Sequence, residues 1–204
     1  MKKFLFLLDP YRQSFLFFHW NFYFLLTFAA AVIWLTLHMR GAFVSAILDN
    51  IFIYFPNYLI HEFSHRFWCM FGEYWWCYAS GNGMETLVPL ALCVWALHLR
   101  GGRYLLPPLL YWLASTLYAA GIYAADARAS ALPLTSSDMM TNYAPGEIKG
   151  DWHYILQPLG LLDYDVFIGN ILMFLGVFFL VIAIWSVWYY WIHMKQYINH
   201  GQWY

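Results

Sequence analysis

Along this chain apolar residues fall in long blocks parted by short polar breaks, and the length of a block decides what it can become. Residues 14–37 carry no formal charge and are long enough, as a helix, to cross the about 30 Å hydrocarbon core of a bilayer. They are expected to be a retained first transmembrane helix rather than a signal peptide, since the block exceeds a usual signal core and no small-x-small cleavage site follows promptly. Residues 42–71 form a second apolar segment broken by Asp49, Asn50, Pro56 and Asn57. Pro56 lacks an N–H and predicts a kink, with the second half of the helix running on to Phe71. Residues 73–83 (EYWWCYASGNG) mix aromatic and small residues and predict a loop or re-entrant turn. A third span is expected at 84–99 and a fourth at 104–125, joined by the polar hairpin RGGR of residues 100–103. Pro107 and Pro108 stand in the first turn of the fourth, where proline is tolerated. The polar stretch 135–150 reads as a loop that covers a site, 155–162 as a short helix and 166–192 as the last and clearest span. Asp163 and Asp165 precede that span, where carboxylates meet the positive end of a helix dipole.

The pattern predicts an all-α fold: a polytopic transmembrane helix bundle of about five or six membrane segments, with residues 1–204 as a single integral membrane domain. Composition agrees, with 63% hydrophobic and 10% charged residues, where soluble domains carry about 25% charged. Ten Lys and Arg against eleven Asp and Glu leave no basic patch for nucleic acid. The expected surroundings are the lipid bilayer, in the inner membrane of a bacterium, with partners met in or beside it. Lysine and arginine divide almost evenly between the two faces of such a bundle, so charge does not orient it. Cys69, Cys77 and Cys93 form no C-x-x-C pair, and are expected to be reduced, buried thiols.

Chemistry enters at residues 59–71, LIHEFSHRFWCMF, where the broken second helix carries His61, Glu62 and His65 in an H-E-x-x-H pattern. Positions i and i+4 of a helix stack one turn apart, so both imidazoles can meet one Zn2+ while Glu62 stands beside its open position as general base. A catalytic zinc needs three protein ligands, so a third comes from elsewhere. The candidates rank as Asp126, at the end of an apolar helix, then Asp151, then His153, both of which follow the polar loop. Glu85 is a further metal or supporting candidate, and Arg128 is an alternative partner for Asp126.

Four blocks carry a resemblance. His61-Glu62 to His65, a glycine-rich turn with METLVP (84–89), YAADARASALPL (123–134), and DWHYIL (151–156) with GLLDYD (160–165) occur in an order similar to that of a family of small bacterial multipass proteins, over roughly residues 57–170. Members of that family resemble zinc metallopeptidases of the site-2 protease kind. The resemblance implies a multipass helical fold, zinc, and hydrolysis. The chain departs from the family in its bulky Phe63 and in Gly150 where a histidine is common, and from the Leu-Asp-Gly pattern of site-2 proteases in Tyr164 after Leu162-Asp163.

Three functions follow as expectations. The first is a membrane-embedded zinc metallopeptidase cutting a membrane-associated polypeptide. The second is a metal-dependent hydrolase or transferase acting on a lipid-like molecule, for which an aromatic-lined cavity serves equally. The third is a non-catalytic subunit of a larger membrane complex, with a structural or vestigial metal site. Clustered histidine pairs of the di-iron oxygenase kind are absent, since His19, His38, His98, His193 and His200 stand singly.

Overall fold

The computed structural model describes residues 54–72, 75–98, 105–132 and 149–200, and among these every regular element is helical. In chain order they are α1 (Tyr54–Cys69), α2 (Trp75–His98), α3 (Leu106–Ala125), α4 (Asp151–Leu156), a 3-10 turn (Leu162–Tyr164) and α5 (Asp165–His200). The expected span at 14–37, the polar break before Tyr54 and most of the polar stretch at 135–150 lie outside the described residues. Pro56 falls in the first turn of α1, a place where a missing N–H is tolerated.

Helix α2 packs between α1 and α3, α3 lies along α5 in the most extensive interface, and α4 rests on α2. The α3–α5 contact rests on small residues. Gly169, Gly176 and Ala183 recur every seven residues on α5 and face Ala114 and Gly121, also seven apart, on α3. A methyl at Gly169 would stand 2.5 Å from the carbonyl oxygen of Gly121, and one at Gly176 would stand 2.9 Å from that of Ala114. Small residues let two backbones approach this closely, the main source of helix–helix attraction where apolar burial drives little. Gly169→Ala is therefore expected to cost about 1–3 kcal/mol, because the obstacle is backbone and cannot rotate away; a thermal melt of the detergent-solubilised protein reads the loss.

Two sequence expectations change here. Residues 75–83 of the expected loop are helical: α2 begins at Trp75 and runs through Gly81, Asn82 and Gly83 without a break. Glycine in a helix costs about 1 kcal/mol relative to alanine, and at Gly81 that cost is offset by the close packing it allows with α1. The inward stripe of α2 is Cys77, Gly81, Glu85, Pro89 and Cys93, each four residues after the last, with all but the half-buried Glu85 buried. The short helix expected at 155–162 instead spans Asp151–Leu156 and ends in a turn at Gly160, whose φ of +67° suits glycine.

A third correction concerns the cysteines. Cys69 and Cys77 are joined in a disulfide with Cα atoms 4.7 Å apart, and only Cys93 is free and buried. The reverse turn after α1 brings them together: Phe71 N–H donates to Trp68, Gly72 N–H donates to Cys69, and Gly72 takes a φ of +115° that only glycine adopts cheaply.

Among the described residues one segment, Leu162–Tyr189, is long and apolar enough to cross a membrane. It matches the span expected at 166–192, and its outer face, with Phe167, Phe174, Val181 and Trp185, is exposed.

Candidate metal centre

Helix α1 holds His61 and His65 one turn apart on the face that meets α2. Their rings lie edge to face, with centroids 4.5 Å apart and Nε2 atoms 2.9 Å apart. Oδ2 of Asp151, the first residue of α4, closes the group at 3.1 Å from His61 Nε2 and 3.0 Å from His65 Nε2. The other nitrogen of each ring has its own partner. His65 Nδ1 donates to the carbonyl of Cys77 at 2.8 Å, and His61 Nδ1 lies 3.5 Å from Glu85 Oε1. A donating Nδ1–H leaves the Nε2 lone pair free, so α2 turns both lone pairs toward the point that Asp151 also faces.

Three donor atoms at such edges form a near-equilateral triangle. A tetrahedral zinc with bonds of about 2.0–2.1 Å has ligand–ligand edges of roughly 3.3 Å, so an opening of roughly 0.3 Å per edge would fit the ion and leave a fourth position open. Room is left by Gly81. A methyl there would lie 2.5 Å from His65 Nε2 and 2.7 Å from His61 Cε1, so glycine gives the imidazoles their place against α2. Two imidazoles with one carboxylate is a donor set that suits zinc and other borderline dications. Burial alone would push the Asp151 carboxyl up; in the metal-free state hydrogen bonds and charge from protonated His61 and His65 outweigh it and hold the group at about 2, and a cation in the triangle would displace the Nε2 protons.

Asp151 owes its position to anchors that a sequence does not display. Trp75 Nε1 donates to the Ile155 carbonyl at 3.0 Å, Tyr154 stacks on Tyr78 with centroids 4.5 Å apart, and Ile155 and Leu156 are buried against Ala127. The short helix is thus fastened to both α2 and the end of α3.

The other expected residues lie elsewhere. Asp126, ranked first as third ligand, accepts the backbone N–H groups of Ala131 at 3.1 Å and Leu132 at 2.8 Å, and closes the turn after α3. Arg128 does not pair with it; its guanidinium meets the buried Asp165 at 2.8 and 3.0 Å. Asp165 also accepts the N–H of Val166 at 2.7 Å, the helix-start role expected of it. Asp163 is exposed. His153 Nδ1 lies 3.0 Å from the Ala127 carbonyl, a contact that helps fix α4. Glu62 is half-buried beside His61 and makes no hydrogen bond or ion pair among the described residues. Glu85, Gly81 and the Cys77 carbonyl make up the supporting side of the centre. Their four-residue spacing is the sequence signal for this face, and the turn-forming residues Gly81, Asn82 and Gly83 mask it.

Glu85→Gln keeps the shape and removes the charge. It is expected to weaken zinc binding about 10–100-fold, the usual effect of losing a histidine's outer partner, as read by competition with a chromogenic chelator.

Comparison with known proteins finds no family model, no curated protein and no solved structure that matches this chain.

Proposed function

We propose that this chain is a membrane-embedded, zinc-dependent metallopeptidase that hydrolyses a peptide bond in a membrane-associated polypeptide, related to the site-2 protease kind. The observation that carries the proposal is the triangle of His61 Nε2, His65 Nε2 and Asp151 Oδ2, with edges of 2.9–3.1 Å, beside an uncommitted Glu62. In this reading α5 crosses the membrane and α1, α2 and α3 complete the bundle beside it. Support comes from the bulky apolar side chains left exposed on α1, α2 and α5, among them Phe63, Phe67, Trp95, Leu97, Phe174 and Trp185. A face of that size has no place in water unless something covers it.

When bound, zinc supplies Lewis-acid polarisation of the scissile carbonyl and brings the pKa of water toward about 7. His61, His65 and Asp151 hold the ion, Glu85 and the Cys77 carbonyl hold the two rings, and Gly81 keeps their side of the centre clear. Glu62 takes a proton from the attacking water and delivers it to the departing amide nitrogen. A general base of this kind is worth about 10²–10⁴-fold in rate.

The test separates holding from chemistry. Protein purified without chelator should contain one zinc per chain, and His61→Ala should lose it. Glu62→Gln should keep the metal and lose at least about 100-fold in cleavage of a membrane-associated polypeptide. Absence of metal in the native protein would instead favour the non-catalytic subunit. Turnover of a lipid-like amphiphile in place of polypeptide would favour the second hydrolase reading.

A further inference from the structure

The junction of α1 and α2 carries two sulfur ligands that the hydrolytic centre does not use, beside a histidine that it does. Cys69 follows His65 by one helical turn and Cys77 stands in the first turn of α2. A nitrogen of His65 and the sulfurs of Cys69 and Cys77 all lie within 4.8 Å of one another. The His65 ring is turned both ways: Nδ1 faces Cys77, whose carbonyl it meets at 2.8 Å, and Nε2 faces Asp151 at 3.0 Å. While the sulfurs are bonded to each other they offer no thiolate to a cation.

We propose that Cys69, Cys77 and His65 form a second, thiol-dependent metal site, which takes a dication of the zinc class when the disulfide is reduced. Two thiolates and an imidazole make an established type of zinc ligand set, with the fourth position left to water. With Zn–S bonds of about 2.3 Å, the tetrahedral S–S edge is roughly 3.8 Å. Side-chain rotation reaches that separation from Cα atoms 4.7 Å apart, so the two helix ends need not part. The step balances. A dithiol reductant gives two electrons and two protons to the S–S bond and leaves as its own disulfide; both cysteines become thiols, the cation displaces their two protons on binding, and the proton that His65 Nδ1 gave to the Cys77 carbonyl moves to Nε2, the nitrogen that faces Asp151.

The thiol–disulfide poise on that side of the membrane then decides which state exists, a disulfide under oxidising conditions and a metal site under reducing ones. The two centres are linked through His65. A cation on Nδ1 replaces the hydrogen bond to Cys77 that orients the ring for the hydrolytic triangle, so filling the second site weakens the first. The proposal does not depend on hydrolysis, since its sulfur donors take no part in the triangle.

Co2+ is the probe, added to the full-length, detergent-solubilised protein, because thiolate–Co2+ bonds give an intense near-ultraviolet charge-transfer absorption that nitrogen and oxygen ligands do not. Reduced wild-type protein should develop the band, and oxidised protein should not. Cys69→Ser/Cys77→Ser should lose it, with the buried Cys93 giving none, while His61→Ala and Asp151→Asn, which dismantle the hydrolytic centre, should keep it. Should the double variant fail to fold, the same wild-type sample decides: reoxidation should abolish the band and renewed reduction should restore it. Reduced wild-type protein that shows no band, or a band that survives reoxidation or the double substitution, would overturn the proposal.

Discussion

Asp151→Asn should lower zinc affinity by at least about 100-fold, while Asp126→Asn leaves it unchanged. The expectation rests on what each carboxylate touches. Asp151 presents one oxygen to both imidazole nitrogens, at 3.0 and 3.1 Å, and supplies the anionic corner of the triangle. An outer partner of a ligand is worth about 10–100-fold in affinity, so loss of the anionic ligand itself should reach or exceed the top of that range. Asp126 spends both oxygens on the backbone of Ala131 and Leu132. Its amide variant keeps one acceptor and loses part of the turn after α3, an effect on stability rather than on metal. Chelator competition on the two variants, with thermal melts alongside, tests both halves. Zinc lost from Asp126→Asn and kept by Asp151→Asn would mean that α4 is not the element that completes the centre.

The same pair of residues shows what the sequence made legible and what it hid. His61 and His65 were visible because helical spacing alone brings i and i+4 together. Asp151 ranked below Asp126 because a carboxylate after a sixteen-residue polar stretch reads as loosely held. What holds it is tertiary: Trp75 on the Ile155 carbonyl and Tyr78 on Tyr154, partners about eighty positions away along the chain. The helical class and the last apolar span followed from block length, but within an apolar block every face looks alike. Only the seven-residue recurrence of Gly169, Gly176 and Ala183 marked the side that meets α3. The Cys69–Cys77 bond is not legible in the sequence because eight positions of separation signal nothing until Gly72 turns the chain back.

Gly81→Ala is expected to abolish high-affinity metal binding without unfolding the protein. The added methyl would lie 2.5 Å from His65 Nε2 and 2.7 Å from His61 Cε1, well inside van der Waals contact, so one or both rings must leave the triangle. Metal centres tolerate displacements of only about 0.5 Å, and the predicted loss is therefore at least about 100-fold, beyond the effect of removing an outer partner. Stability should change much less. Alanine gains up to about 1 kcal/mol over glycine in a helix interior, which offsets part of an overpacking cost of about 1–3 kcal/mol. Gly83→Ala is the control: it brings the same helix preference two positions on, and its methyl would meet nothing within 4 Å. That variant should melt at or above the wild-type temperature and bind zinc normally. Equal metal affinity in the two alanine variants would show that the histidines do not need the space Gly81 leaves, and that the close approach of α2 to α1 is packing alone.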